Sequence, residues 1–160
     1  MTPTIVTPDQ DTIVADIQIS APPERVFKAL SDPGQLQRWF HGGSECPVKL
    51  WKMDARVGGR YSYAMQEGSI EINGVREFQC QGEIVECDPP RVLAYTWIAN
   101  WHDDPKTSTL VRWELTPSEG GTHVKVTHSG LASLPVARKD YSGGWPRVVG
   151  NLKNFVEEGQ

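Results

Sequence analysis

The stretch from Gly82 to Trp97, GEIVECDPPRVLAYTW, holds two strand-like segments on either side of an Asp-Pro-Pro turn signal. After the turn, Leu93, Tyr95 and Trp97 alternate with smaller residues, which is typical of a strand with one buried face. A turn this short between two strands predicts that they pair antiparallel. The stretch therefore favours an antiparallel sheet with an aromatic inner face.

The same pattern extends on both sides of this hairpin, from about Val48 to Ser129. Six strands fit between the turn signals, which are Gly58-Gly59, Asn73-Gly74, Asp88-Pro89-Pro90, Asn100 to Pro105, and Gly120-Gly121. One further strand, from Thr12 to Ser20, precedes them because its apolar and polar residues also alternate. We therefore expect about seven strands in an antiparallel meander.

Two short helices are predicted between the first strand and the meander. The prolines at positions 22 and 23 suit a first helical turn, and the apolar face that follows them ends near Ser31. Asp32 is the predicted N-cap of the second helix, with Gln35 reaching back to the cap. This second helix carries Trp39 and is expected to stop at the glycine pair 42–43.

The C-terminal segment predicts a longer amphipathic helix. Apolar residues stand at helical spacing from Trp145 to Val156, and Pro146 lies near the predicted start. The preceding segment, Gly130 to Gly144, contains glycine and proline and is interpreted as a link. The helix would then have about 13 residues and be roughly 20 Å long, enough to cross several strands.

These elements predict an α+β fold in one domain, which suits a chain of 160 residues. Residues 12–160 would form a curved antiparallel sheet of about seven strands, with two short helices after the first strand. The long C-terminal helix would lie over an apolar cavity on the sheet. Residues 1–11 are polar with two prolines and are expected to be a flexible lead-in.

The composition argues against several classes of protein. The formal net charge is −4 and the basic residues are scattered, so a nucleic-acid partner is not expected. No signal-peptide pattern begins the chain, and no apolar run approaches the roughly 18 residues of a membrane span. Cys46, Cys80 and Cys87 are odd in number and widely spaced, which favours reduced thiols and a cytoplasmic location.

Several motifs resemble those of a known family. They are Ile19 to Phe27 with Trp39-Phe40 behind it, Gly58 to Tyr61, Gly82 to Leu93 followed by Tyr95 to Trp97, Gly121 to Leu131, and Gly143 to Trp145. On these residues the chain, from about Ile13 to Glu158, resembles the bacterial single-domain homologues of the activator of Hsp90 ATPase. That family belongs to the START-like (SRPBCC) superfamily with the helix-grip fold. The resemblance implies a pocket under the last helix and leaves its ligand open.

Side chains predicted to face the space between the sheet and the last helix form the candidate ligand site. An aromatic wall suits a flat or long apolar ligand, although the same residues would also serve to fill a core. The candidates are Trp39, Tyr61, Tyr63, Trp97, Trp113, His128, Trp145, Val149 and Leu152.

His128 is the main catalytic candidate, and one of Glu83 or Glu86 is the only other ionisable residue nominated for proton transfer. His128 shares the strand parity of Val124 and Val126, so its imidazole is predicted to point inward as an acid, a base or a ligand-orienting donor. The alternative is a structural histidine bonded to a backbone carbonyl. Glu83 and Glu86 have opposite parity, so at most one of them would face the pocket.

Neither a metal nor a cofactor is expected. His102, Asp103 and Asp104 cluster in a loop, but adjacent residues do not readily converge on one ion, and a polar loop tip is the better interpretation. The sequence has no G-x-S-x-G motif, and the pair Gly58-Gly59 is too short to cradle a phosphate.

Three functions stay open on the sequence alone. The first is binding, without turnover, of a small hydrophobic molecule that is lipid-like or aromatic and polyketide-like, by a monomer or a homodimer. The second is an enzyme of the cyclase or dehydratase kind that acts on such a ligand. The third, implied only by the family resemblance, is a chaperone-associated module that regulates an Hsp90-like ATPase.

Overall fold

The structure is a computed structural model that describes residues 4–6, 11–40, 48–65, 71–104 and 106–158. Its strands are β1 (Thr4–Val6), β2 (Ile13–Ile19), β3 (Val48–Met53), β4 (Arg60–Met65), β5 (Gln79–Asp88), β6 (Val92–Ala99), β7 (Thr109–Ser118) and β8 (Gly121–Ser129). Its helices are α1 (Pro23–Ser31), α2 (Pro33–Trp39) and α3 (Pro135–Glu158). The predicted α+β fold, with an open curved antiparallel sheet and a long C-terminal helix, is confirmed.

The strands of the described ranges form one sheet in the order β1-β2-β8-β7-β6-β5-β4-β3. The predicted hairpin is present, since β5 and β6 pair antiparallel with Cys87 opposite Leu93. The six strands expected between residues 48 and 129 correspond to β3–β8. Strand β2 returns to pair with β8, with Ile13 opposite His128, so the first expected strand and the last are neighbours.

An additional short strand, β1, lies within the segment that was expected to be a flexible lead-in. It pairs antiparallel with β2, with Ile5 opposite Ala15. Strand β2 would otherwise present a row of unpaired backbone N–H and C=O groups at the edge of the sheet. The three residues of β1 satisfy part of that edge and make the sheet eight-stranded in the described ranges.

Strand β5 is irregular near its middle. Its register against β6 shifts between Ile84 and Glu86, which marks a bulge a little beyond Gly82. A Cβ atom at Gly82 would lie 1.9 Å from the carbonyl oxygen of Thr96, so only glycine allows β5 to approach β6 this closely. The ring of Tyr61, directly opposite on β4, also lies against this glycine.

The second short helix begins as predicted but is capped differently. The Asp32 carboxylate accepts a hydrogen bond from the backbone N–H of Gly34 at 3.1 Å. Gln35 does not reach back to the cap, because its Oε1 accepts a hydrogen bond from Nη1 of Arg25 at 2.8 Å. A charged guanidinium is the stronger donor for this oxygen. Helix α2 ends at Trp39, and the predicted stop at the glycine pair 42–43 lies outside the described residues.

Helix α3 begins at Pro135 rather than at Trp145, so the predicted link from Gly130 to Gly144 is wrong for most of its length. The cap comes from a distant loop, where the Asp103 carboxylate accepts the backbone N–H groups of Val136 at 3.0 Å and Ala137 at 2.9 Å. Burial alone would raise the pKa of Asp103, but these hydrogen bonds outweigh it and leave the pKa lowered. Asp103 therefore anchors the start of α3 and is not a free loop tip.

The buried face of α3 packs against the inner face of the sheet. Its buried side chains recur at helical spacing and are Ala137, Tyr141, Trp145, Val149, Leu152 and Val156. Gly143, Gly144 and Pro146 lie inside the helix. Within the described residues, no helix has the length and apolar character that crossing a membrane requires.

Candidate functional site

A cluster of aromatic rings lies between the sheet and α3, with Trp97 of β6 at its centre. The Trp97 ring lies 5.6 Å from that of Tyr63 and 5.7 Å from that of Trp145, measured between centroids. It lies 6.3 Å from the ring of Tyr141 on α3. These spacings are typical of packed aromatic pairs, so the rings form one continuous wall. The aromatic inner face that the sequence predicts is present.

His128 points inward from β8, as its parity predicts, and is fully buried. The indole N–H of Trp145 donates a hydrogen bond to His128 Nδ1 at 3.1 Å. His128 Nε2 lies 2.7 Å from Oγ1 of Thr109, and the Thr109 hydroxyl donates to the carbonyl oxygen of Trp97 at 2.9 Å. The four groups form a chain from α3 across β8 and β7 to β6.

These hydrogen bonds fix which nitrogen of His128 carries the proton and favour the neutral ring. Because Nδ1 accepts a hydrogen bond, the proton of the neutral ring sits on Nε2 and is donated to Thr109. Burial, with a further contribution from nearby His102, lowers the pKa of His128 well below its usual value. Both nitrogens are committed to neighbouring side chains rather than to a ligand or a backbone carbonyl. The ring is therefore suited to a structural role, and the predicted inward acid or base has no nitrogen left for proton transfer.

A second hydrogen-bonded group ties the loop after β6 to α3. The Tyr141 hydroxyl accepts the indole N–H of Trp97 at 2.8 Å and lies 2.7 Å from Nε2 of His102. His102 is buried, which corrects the prediction that the whole 102–104 cluster is a polar loop tip. Burial lowers the pKa of His102 despite its neighbour Asp103, so this imidazole is also held neutral.

A cavity of about 110 Å³ opens between the aromatic wall and the N-terminal half of α3. Its sheet and loop side is formed by Phe40, Tyr63, Met65, Ile72, Phe78, Trp97 and Trp101. Its helix side is formed by Asp140, Tyr141, Gly144, Trp145, Arg147 and Val148. The lining is overwhelmingly apolar, and the charged groups of Asp140 and Arg147 belong to its outer end. The arrangement suits a flat apolar molecule.

Three of the nine predicted ligand residues line this cavity, namely Tyr63, Trp97 and Trp145. The other aromatic candidates bond within the core: Trp39 donates to the carbonyl of Ala29, Tyr61 to that of Thr96, and Trp113 to the hydroxyl of Tyr95. His128 lies behind Trp145, and Val149 and Leu152 are fully buried further along α3. These six residues pack and orient the wall rather than line the cavity.

The two glutamates that were considered for the pocket lie outside it. Glu83 is exposed on β5, and Glu86 pairs with Arg112 on the outer face at 3.2 Å. Val85 is exposed together with Glu83, as regular alternation requires. Glu86 has the parity of the buried Ile84, and the register shift between these two residues leaves it on the outer face instead. The prediction allowed one glutamate to face the pocket, and neither does.

Sequence analysis missed the residues on the N-terminal half of α3 and in the loops. Tyr141 was detectable, because it stands four residues before Trp145 and so continues the apolar stripe. Asp140, Gly144 and Arg147 were not, because the helix was predicted to start after most of them. Trp101 stands in a polar loop, and an apolar ring in such a loop is the signal that would have identified it.

The described residues contain no group of three or more histidine, cysteine, aspartate or glutamate side chains that would hold a metal ion. A second concavity of about 290 Å³ lies on the other face of the sheet, lined in large part by outward-facing side chains such as Ser62, Gln79 and Gln81. Its lining is more polar and lacks the ring-to-ring packing of the inner cavity. The inner cavity is therefore the better candidate site.

The comparisons with known proteins agree with this fold. A family model described as activator of Hsp90 ATPase homolog 1-like protein matches residues 20–157. No curated protein matches the chain. A crystal structure of a protein from Rhodobacter sphaeroides is similar at TM-score 0.78 and 19% identity, covering 98% of this chain and 99% of that one.

Two further solved structures share the architecture. A protein from Chromobacterium violaceum is 25% identical at TM-score 0.76, covering 93% of this chain and 99% of that one. An AHSA1-like protein from Aeromonas hydrophila is 24% identical at TM-score 0.74, covering 92% and 93%. The structural likeness supports the fold, and the family match covers most of the sequence. The chain belongs to the family of activator of Hsp90 ATPase homolog 1-like proteins.

Proposed function

We propose that this protein binds a small apolar molecule, of about the size of one substituted aromatic ring, in the cavity between the sheet and α3. The observation that carries the proposal is the cavity itself, with its volume of about 110 Å³ and its aromatic lining. An apolar cavity of about 150 Å³ is known to hold one benzene-sized molecule. A single ring is therefore the appropriate scale of ligand.

The size of the cavity argues for a binding site rather than a loosely filled core. Protein interiors pack at the density of organic crystals, and few voids exceed the size of a water molecule. Rings that face an unfilled cavity have no packing partners on that side, which costs stability. A ligand that fills the space offsets part of this cost by restoring contacts with the surrounding rings.

The same volume limits the class of ligand. A fatty acid, a sterol or a multi-ring polyketide needs several times this space, so binding of such a molecule requires α3 or the loops facing it to move outward. Single-ring aromatic compounds need no such movement. Among the hydrophobic ligands that the family resemblance implies, small aromatic compounds are the best fit.

The residues nominated for acid-base catalysis do not line the cavity, which favours binding over turnover. Both ring nitrogens of His128 are held by side chains of the protein, and Glu83 and Glu86 lie away from the cavity. The ionisable groups nominated for a cyclase or dehydratase are therefore not placed to transfer protons to a molecule in this cavity.

The test is a thermal-unfolding titration of the purified protein with toluene, benzene, naphthalene and decanoate. Toluene at ten times its dissociation constant would stabilise the native state by about 1.4 kcal/mol. For a chain of this size, that raises the Tm by roughly 3 to 6 °C. We expect saturable stabilisation by toluene and benzene and weaker effects of the two larger compounds. If none of the four compounds stabilises the protein, the proposal is overturned and the chaperone-associated alternative is favoured.

A further inference from the structure

The inner cavity communicates with the surface through a short opening on α3. Ile72, Asp140, Gly144 and Arg147 line both the cavity and an outer vestibule. The vestibule also includes Glu71 and Lys139, so it is polar where the cavity is apolar. A molecule with its ring in the cavity and a substituent pointing out would place that substituent among these four residues.

Gly144 keeps this opening wide. A Cβ atom built at Gly144 would meet no atom within 4 Å, so the missing side chain leaves open space where the cavity meets the vestibule. Glycine inside a helix costs about 1 kcal/mol relative to alanine. Gly144 therefore lowers the stability of the helix, and the opening is the structural feature found at the same position.

One acid and one base flank the opening. Asp140 and Arg147 are seven residues apart on α3, which places them two turns apart on the same face, with Gly144 between them. Burial raises the pKa of Asp140, and the charge of Arg147 partly opposes that shift. The other charged residues of the vestibule, Glu71 and Lys139, do not line the cavity, whereas Asp140 and Arg147 line both spaces. Asp140 and Arg147 are therefore the pair that a ligand's substituent meets first.

We propose that the ligand is a single-ring aromatic compound whose exposed substituent carries both a hydrogen-bond donor and an acceptor, and that Asp140 and Arg147 hold this substituent at the opening. A primary amide has both groups, because its NH₂ donates to the Asp140 carboxylate and its carbonyl accepts from the Arg147 guanidinium. The inference rests on the proposed function, because it assumes that the ring occupies the cavity.

Charged substituents fit this opening less well than a neutral one. A carboxylate is attracted by Arg147 and repelled by Asp140, whereas an ammonium group meets the opposite pair of forces. The opening thus selects against both by placing a like charge beside each of them. A neutral group with both hydrogen-bonding functions satisfies the two side chains without repulsion.

The experiment measures the affinities of toluene, phenylacetamide, phenylacetate and benzylamine by calorimetry for the native protein and for the variants Asp140→Asn and Arg147→Gln. Both substitutions remove charge and keep the approximate shape of the side chain. For the native protein we expect phenylacetamide to bind at least threefold more tightly than either charged compound. Asp140→Asn should strengthen phenylacetate binding at least threefold, and Arg147→Gln should do the same for benzylamine.

Toluene separates the two proposals, because it has no polar substituent. Its affinity should change by less than the threefold expected for the charged compounds, and its binding to each variant shows that the cavity is retained. Failure of toluene to bind the native protein overturns the proposed function itself. If toluene binds but the amide is not preferred, or neither variant changes the charge preference, the cavity proposal stands and the role of Asp140 and Arg147 is overturned.

Discussion

The indole N–H of Trp145 on α3 donates to Nδ1 of His128 on β8 at 3.1 Å, so a cavity-lining ring is held by a histidine behind it. The other nitrogen of His128 lies 2.7 Å from Oγ1 of Thr109 on β7. A proton added to Nδ1 would face the indole N–H of Trp145 and break the hydrogen bond between the two side chains. The position of α3 on the sheet is thereby coupled to the neutral state of one buried imidazole.

This coupling predicts acid sensitivity at mildly acidic pH. The pKa of His128 is lowered in the folded protein, so below the unfolded value of about 6.5 the unfolded chain binds a proton that the folded chain does not. The free energy of unfolding is unaffected by His128 above pH 7. As the pH falls below 6.5, it should decrease with a slope that approaches about 1.4 kcal/mol per pH unit for this group.

Denaturant unfolding between pH 5 and pH 8 measures this slope, and the variant His128→Gln isolates the contribution of His128. The glutamine side chain does not titrate, so the variant should be less stable at pH 8 but lose stability less steeply below pH 6.5. His102, whose pKa burial also lowers, is present in both proteins, so the difference between the two slopes reports His128 together with its charge coupling to His102. Parallel slopes for the two proteins would show that His128 does not carry the acid sensitivity.

Tyr141→Phe should be destabilising although it removes a single oxygen atom. The Tyr141 hydroxyl is the acceptor for the Trp97 indole N–H and lies within hydrogen-bond distance of His102, and all three side chains are buried. Loss of a buried partner costs about 1 to 3 kcal/mol. Chemical denaturation measures the change, with Tyr63→Phe as the comparison on the opposite wall. A loss below about 0.5 kcal/mol would contradict the assigned role of the hydroxyl.

Asp103→Ala should loosen the first turn of α3. The substitution removes both acceptors of the Val136 and Ala137 N–H groups, and loss of a helix cap costs about 0.5 to 2 kcal/mol. Asp104→Ala is the matched control, because within the described ranges its carboxylate bonds only to the backbone N–H of Lys106 in its own turn. Amide hydrogen exchange should accelerate at positions 136–141 in the first variant alone. Unchanged exchange there would contradict the cap.

Gly144→Leu should block the opening without unfolding the helix. Leucine is a better helix former than glycine by several tenths of a kcal/mol, and a side chain at this position enters open space between the cavity and the vestibule. Because Gly144 also lines the cavity, the leucine side chain would occupy part of the space that toluene fills, so we expect at least a tenfold loss of toluene affinity with an unchanged or raised Tm. Gly143→Leu is the control, since Gly143 lines the vestibule alone. Equal affinities for both variants would place the opening elsewhere.

The sheet was predictable because its signals are local. Alternation of apolar residues and the turns at Asp88-Pro89-Pro90 and Gly120-Gly121 located the six strands β3–β8 and the inward direction of Trp97 and His128. Strand β1 was missed because three residues carry too little alternation to detect. Its pairing is determined by the free edge of β2, which is a property of the assembled sheet.

The start of α3 and the composition of the cavity were not predictable for a different reason. Gly143, Gly144 and Pro146 are typical of a helix boundary, yet the helix runs through them because Asp103, far away in sequence, caps its N-terminus. Strand parity identified Tyr63 and Trp97 as inward-facing, and the helical spacing of apolar residues did the same for Trp145. Neither pattern distinguishes a ring that lines a cavity from one that packs behind it, since that depends on how α3 lies on the sheet.

The most direct test of the central claim is an isotope-filtered NOE experiment on the ¹³C-labelled protein with unlabelled toluene. Binding in the inner cavity predicts intermolecular NOEs from the toluene protons to the side chains of Tyr63, Trp97 and Trp145. NOEs confined to Leu50 and Ile98, in the groove on the other face, would contradict the account, as would the absence of any intermolecular NOE at saturating toluene.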